Sequence, residues 1–393
     1  MSTLRLLCLV QLSTIANTAT NGVQDDMTRH TDSIAITADA SGLTTGFISM
    51  SDDEALQLAR SHYGIEGRVR RLDTEKDDTF QLTDMARGRQ YILKVANPAE
   101  PADEIDLQDA LLNFLRQADN ALPVPAAVAD IQGRTMARIT DAAGQQRYVR
   151  LLTYLEGTPL DSVEASPRQR ELVGEVLARL RLAMAQFDHP AAHRILFWDV
   201  KNLGNLQPLL ASVENKQRQR LLERGMARFL QLSARIQSLP CQVLHNDFSQ
   251  SNIIVDPCGR DFVTGVIDFG DTVYTAVAVD VATALLNQLP RDAAANPPDD
   301  LFAQGRDLLR GYLRRAPLSQ EELALLPHLV MGRVIARALI TLWRAQRFPD
   351  NARYILRNTE PGWGQLTWLL ARSSDELSQT FMSMIPFSGE HHD

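Results

Sequence analysis

The sequence predicts an α+β chain in two lobes, a small β-rich one followed by a larger, mainly helical one. Three observations carry this. Short alternating runs bounded by turn residues fill the stretch from Arg68 to Leu155, and apolar residues at helical spacing dominate from Leu172 onward. The two regimes meet in one turn-rich string, Glu156-Gly157-Thr158-Pro159. At 393 residues, 45% hydrophobic and 22% charged, the composition excludes collagen, coiled coils and disorder throughout. A net charge of -8 lacks the basic excess of a nucleic-acid binder or polybasic membrane anchor, so neither partner is expected. Cys8, Cys241 and Cys258 form no C-x-x-C pair, which favours a reducing, cytoplasmic setting over a disulfide scaffold or zinc knuckle.

Taken in order, residues 1–50 read as a leader outside the core: a secretory signal, a disordered tail or sequence ahead of a working start at Met50. Residues 51–155 then form the first lobe and 156–393 the second. Ser51 to Tyr63 is a helix, since Ser51 suits an N-cap and Asp52, Asp53 and Glu54 suit the positive end of the helix dipole. Arg68–Leu72, Thr79–Thr83 and Gln90–Val95 alternate as antiparallel strands. Asp103–Gln117 is a helix with Ile105, Leu111, Leu112 and Leu115 on its apolar side, and Thr135–Thr140 and Gln146–Leu155 are further strands. Beyond the junction, Lys216–Gln237, Asp300–Arg314 and Glu321–Gln346 are amphipathic, and one β-rich island, Val243–Asp268, interrupts them.

That island holds the chemistry. Asp247 and Asn252 are five apart in H-N-D-F-S-Q-S-N, the Asp-to-Asn spacing of H-R-D-x-x-x-x-N, and Asp268-Phe269-Gly270 is a literal D-F-G. The reaction behind this spacing needs one carboxylate to orient an attacking hydroxyl and take its proton. It needs a second carboxylate and an amide oxygen to hold magnesium against phosphates. Asp247 suits the first role, and Asn252 and Asp268 suit the second. Only four lysines occur, Lys76, Lys94, Lys201 and Lys216, and Lys94 ends the apolar run Tyr91-Ile92-Leu93 much as the strand lysine of V-A-I-K does. No lysine follows a glycine, which excludes a Walker A loop, and no G-x-G-x-x-G precedes Lys94. The turn Asp73–Thr79, with Asp77, Asp78 and Thr79 leading into a strand, is the candidate phosphate loop, a solvated acidic hairpin being the alternative. Glu104, Asp106 and Gln108 are the candidate partners of the Lys94 ammonium.

On YILKVANP, VRLLTYLEGTPL, FWDVKNL, VLHNDFSQSNIIV and VTGVIDFGDTVY, the chain resembles the aminoglycoside phosphotransferase and choline kinase group of small-molecule kinases, hydroxylysine kinase-like members above all. The resemblance spans about Ser51 to Leu370. It implies a protein-kinase-like fold, ATP or GTP as phosphate donor, Mg2+, and a small amino alcohol or hydroxy amino acid as acceptor, in a monomer or homodimer. It further implies that Leu152 and Tyr154 lie in a hinge beside the purine, and that Asp280 braces the catalytic loop. Gln108 stands where aminoglycoside kinases carry the glutamate partner of the lysine, and Asn246 replaces the arginine of H-R-D. The run from Asp271 into the helical stretch near Val277 leaves no room for an activation segment, so a protein substrate is not expected. Arg333 offers a guanidinium fork to an acceptor carboxylate, with Arg337 one turn on, while Asp271, Tyr274, Trp198 and Asp199 are candidates for framing an amine. A 5-hydroxylysine-like acceptor leads. Aminoglycoside, homoserine or ethanolamine-type acceptors, or an inactive nucleotide-binding module, are the alternatives.

Overall fold

The structure, a computed structural model, describes residues 46–74 and 76–384. The expected leader falls mostly outside these residues. Ser51 caps α1 (Asp52–Tyr63) by accepting the Glu54 N–H at 3.2 Å, and Gly64 at φ 63° closes the other end. The first lobe is an antiparallel sheet of β1 (Gly67–Leu72), β2 (Asp78–Asp84), β3 (Gln90–Val95), β4 (Ala127–Val128), β5 (Met136–Thr140) and β6 (Gln146–Thr153), with α2 (Ala102–Ala118) inserted after β3. The strands run β1-β2-β3-β6-β4, and β5 also pairs with β6. Phe80, Leu82, Leu93, Val95, Val149 and Leu151 point to one face and bury themselves under Ala55 and Ala59 of α1. The opposite phase of β3, carrying Lys94, therefore faces the cleft.

Residues ahead of the expected boundary at Ser51 already pack with the first lobe. Met50 is buried in the same core and donates its N–H to Asp78 Oδ2 at 3.0 Å. The Gln145 side chain bonds both backbone groups of Ile48.

The second lobe packs α3 (Pro167–Met184), α4 (Lys216–Leu230), α5 (Ser233–Gln237), α6 (Val277–Leu286), α7 (Ala303–Leu313), α8 (Gln320–Arg347), α9 (Ala352–Ile355), α10 (Glu360–Leu370) and α11 (Ser374–Ser378). The expected helix over 216–237 breaks at residues 231–232, giving α4 and α5. α8 is long and apolar enough to cross a membrane by length and composition, but 89% of its apolar window is buried within the fold, mainly against α6, α4 and the 3-10 stretch Val200–Ser212. α3 and α7 touch backbone to backbone. A Cβ on Gly174 would stand 1.9 Å from Leu308 O, and one on Gly311 would stand 1.9 Å from Glu171 O.

Two small ladders cross this lobe. β7 (Thr158–Pro159) and β10 (Val263–Val266) flank β9 (Ile253–Val255), and β8 (Cys241–Leu244) pairs with β11 (Val273–Ala276). They fix the two ends of the Asp247 loop and of Asp268-Phe269-Gly270, as the apolar runs around those motifs require.

Candidate active site

The loop after β8 is held from three sides. The His245 ring, fully buried, takes the Asp247 N–H on Nδ1 at 3.3 Å and so donates from Nε2 to Ile267 O at 3.1 Å, tying the Asp247 loop to the strand that carries Asp268. Asp280 Oδ1 accepts the Asn246 N–H at 2.8 Å, the bracing contact expected of it. Asn246 sits at φ 62°, a left-handed conformation that asparagine tolerates better than arginine. The guanidinium that H-R-D would supply at that position arrives from α8 instead: Arg333 donates to the carbonyls of Asn246 and Trp198 and stands 3.8 Å from Asp247 Oδ1.

The Asn252 amide donates to Asp247 O at 3.0 Å and Asp247 Oδ2 at 2.8 Å, which leaves its Oδ1 for another partner. Asp268, at φ 63° and exposed, accepts, among the described residues, a single long 3.4 Å bond from the Gly270 N–H. Two hard oxygen donors with spare capacity, flanking Asp247, fit a magnesium ion that takes its other ligands from phosphates and water. Desolvation pushes the Asp247 carboxyl up to about 7, with the carboxylates of Asp271 and Asp268 adding to the rise and Arg333 opposing it. Desolvation acts on Asp271 in the same sense, but Lys76 and Arg333 outweigh it and hold that carboxyl below its ordinary value. Carboxyls pushed apart in this way suit a proton acceptor beside a permanently charged neighbour.

From the sheet, Lys94 reaches Asp77 Oδ2 at 3.2 Å, and Thr79, its direct cross-strand neighbour, donates to Asp77 Oδ1 at 2.8 Å. Desolvation acts against the ammonium, yet Asp77, Asp268 and Glu100 together hold the Lys94 pKa above its ordinary value. Lys76, in the turn before β2, bonds Asp271 Oδ1 across the cleft at 3.4 Å. The cleft thus has two ammonium groups on one wall and three carboxylates, those of Asp247, Asp268 and Asp271, on the other.

Several expected site residues lie elsewhere. Asp78 is one step out of phase on β2: it points into the core, where Arg147 bonds it at 2.7 Å and Arg71 at 2.5 Å, and Asp77 takes the cleft position. Asp106 lies on the outer side of α2 and contacts His189 at 3.2 Å. Gln108 is buried, accepts from Arg150 at 2.8 Å and reaches Glu100 at 3.4 Å, and Glu104 turns to Arg194, so none of the three is the ion partner of Lys94. Asp199 caps the stretch Val200–Ser212, is buried, and accepts from the Lys201 N–H, the Asn202 amide and the Thr275 hydroxyl, which places it inside the wall rather than at an amine site. Tyr274 faces outward from β11 and stacks on His193 at 4.7 Å. Trp198 stays in the wall, its indole 5.6 Å from the Arg333 guanidinium. Leu152 is buried between Ile92 and Ala127, and Tyr154 follows β6 with its N–H on Gln90 O, at the junction of the lobes. Asp77 lies in the expected phosphate turn but was not among the expected partners of Lys94, and Lys76 was missed. Strand alternation counted back from Thr79 finds the first, and the scarcity of lysine points to the second.

Comparison with known proteins gives the family and the fold. The model of the APH phosphotransferase enzyme family matches residues 68–318. Hydroxylysine kinase of Mus musculus is 26% identical over 344 residues, covering 81% of this chain and 89% of that one. A microcompartment-associated aminopropanol kinase superposes with a TM-score of 0.63 at 20% identity, over 85% of this chain and 98% of its own. The amicoumacin kinase hAmiN, solved with AMP-PNP, Ca2+ and Ami, gives 0.59 at 17% identity, over 79% and 93%. The two solved structures share the two-lobed kinase fold. With its family match running through both lobes and the cleft between them, the chain belongs to the APH phosphotransferase family of small-molecule kinases.

Proposed function

We propose that the protein transfers the γ-phosphoryl group of ATP or GTP to the hydroxyl of a small amino compound, 5-hydroxylysine-like in the first instance. The observation that carries the reading is the Asp247–Asn252–Asp268 constellation facing Lys94 and Lys76. Likeness to the mouse hydroxylysine kinase over most of both chains supports the acceptor class. In this reading the acceptor hydroxyl lies against Asp247, which orients it and takes its proton as the new O–P bond forms and the bond to the departing nucleoside diphosphate breaks. Lys94 and Lys76 neutralise phosphate charge, and Asn252 and Asp268 hold magnesium, which when bound supplies charge stabilisation for the phosphates. Leu152 and Tyr154 line the hinge against the purine. Asp280 and His245 keep the loop rigid, so that little reorganisation is needed at the moment of transfer.

The test is nucleoside diphosphate release from ATP and GTP across a panel of 5-hydroxylysine, homoserine, ethanolamine and an aminoglycoside. Phosphorylation of hydroxylysine should exceed that of the aminoglycoside, and Asp247→Asn should lower its turnover by roughly 100- to 10,000-fold with nucleotide binding kept. Near wild-type turnover in that variant would remove Asp247 from the mechanism.

A further inference from the structure

Arg333 is the expected anchor for an acceptor carboxylate, but both its terminal nitrogens already donate to the carbonyls of Trp198 and Asn246, and it stands 3.8 Å from the Asp247 carboxylate. One turn along α8, Arg337 is placed differently. It is half-buried, its one hydrogen bond is a 3.4 Å contact to Asn358 O, and it has no ion pair among the described residues. Arg291, on the exposed side, donates to Asn358 Oδ1 at 3.1 Å and to Arg357 O at 3.3 Å, again with no carboxylate partner among the described residues. Burial first, and then the like charges of Arg333 and Arg291, push the Arg337 guanidinium below its ordinary pKa, while Asp247 opposes the shift. An arginine remains protonated even so. Among the described residues, Arg337 and Arg291 thus meet only neutral carbonyl and amide oxygens, while the neighbouring Arg333 stands 3.8 Å from the carboxylate of Asp247. A partly buried cation left without a counter-ion carries a desolvation cost, and an anion arriving with the ligand offsets it.

The spacing fits an amino-acid acceptor. One helical turn, about 5.4 Å, separates Arg337 from the level of Arg333, which touches the Asp247 loop. A carboxylate and a hydroxyl separated by three or four carbons, with bonds of roughly 1.5 Å, span a similar length.

We propose that Arg337, with Arg291 across Asn358, docks the α-carboxylate of the acceptor, so that the enzyme selects hydroxy amino acids over their decarboxylated amino alcohols. This rests on the amino-compound kinase reading above and narrows it. Arg333 is then a positioning residue for the Asp247 loop, and Arg337 sets acceptor specificity.

The experiment compares kcat/KM on two matched pairs, 5-hydroxylysine with 1,5-diaminopentan-2-ol and homoserine with 3-aminopropan-1-ol. The wild-type protein should prefer the carboxylated member of the better-used pair by roughly 10- to 100-fold. Arg337→Met should erase most of that preference through the acceptor KM, and Arg337→Lys should restore part of it. As a measurement independent of any variant, lysine should inhibit the wild type more strongly than pentane-1,5-diamine, which differs from it only by the carboxylate. Equal use of both members of each pair, equal inhibition by the two competitors, or a preference that survives Arg337→Met would overturn the carboxylate site while leaving a kinase of amino alcohols standing. Phosphoryl transfer to the aminoglycoside alone would overturn the acceptor class itself, and the carboxylate site with it.

Discussion

A lysine ammonium in the turn before β2 occupies the region where other kinases place a glycine-rich loop, and its contact with Asp271 spans the cleft. Asp271 is its largest electrostatic partner and holds the Lys76 pKa above the ordinary value, so the charge is fixed at any working pH. An incoming triphosphate offers that ammonium a stronger partner than one carboxylate. Lys76→Met should therefore raise the nucleotide KM by about 10-fold with a smaller change in kcat, and Lys76→Arg should recover part of the loss. Initial rates at varied nucleotide check this, and an unchanged KM would leave Lys76 as a tie between lobes only. At this scale the sequence was most legible where chemistry imposes spacing, as in Asp247, Asn252 and Asp268. It misled where the phase of a strand decides. Asp77 and Asp78 are chemically identical neighbours, and only the burial of Arg147 and Met50 on one side of β2 tells which of them faces the cleft.

At the scale of elements, the α3–α7 crossing has little tolerance. Gly174 and Gly311 bring the two backbones together, and Glu171, at the same crossing, accepts from Arg168, Arg310 and Arg314 at 2.9 to 3.0 Å. The hydrogen bond from Arg314 is the largest influence. With those from Arg168 and Arg310 it overcomes desolvation and holds the Glu171 carboxyl at about 2, below its ordinary 4.5. A carboxyl whose folded pKa is depressed stabilises the protein above its unfolded value and loses that contribution as pH falls through the folded one. Glu171→Gln should thus cost about 1–2 kcal/mol at pH 7, after allowing for solvent around the arginines, with the difference from wild type narrowing between pH 4.5 and about 2. Denaturant titrations at several pH values check the slope. Strands β1 to β3 and helix α1 were legible within a residue or two, because alternation and capping are local signals. β7 and β11 were not, since two to four residues carry no period and are strands only because β9 and β8 lie beside them.

For the whole molecule, the two-lobed plan followed from one change of periodicity, and the family match extends across it. What no local pattern could supply is convergence: Arg337 and Arg291 lie 46 positions apart and share Asn358, 67 positions beyond Arg291. The distribution of lysine has a practical consequence of its own. Of the four side-chain amines in the chain, Lys76 and Lys94 lie in the cleft, Lys216 bonds Gln219 on the surface and Lys201 lies 6.0 Å from the Tyr274 ring. An amine-directed acylating reagent therefore has few places to go, and nucleotide should shield the two in the cleft while leaving Lys216 reactive. Peptide mapping after labelling, with and without magnesium and nucleotide, should show that contrast, and equal labelling of Lys94 in both samples would place the nucleotide elsewhere. The same arginine-for-lysine bias lets a covalent probe, a crosslinker or a fluorescent tag be read as a reporter of cleft occupancy, with Lys216 as the internal reference.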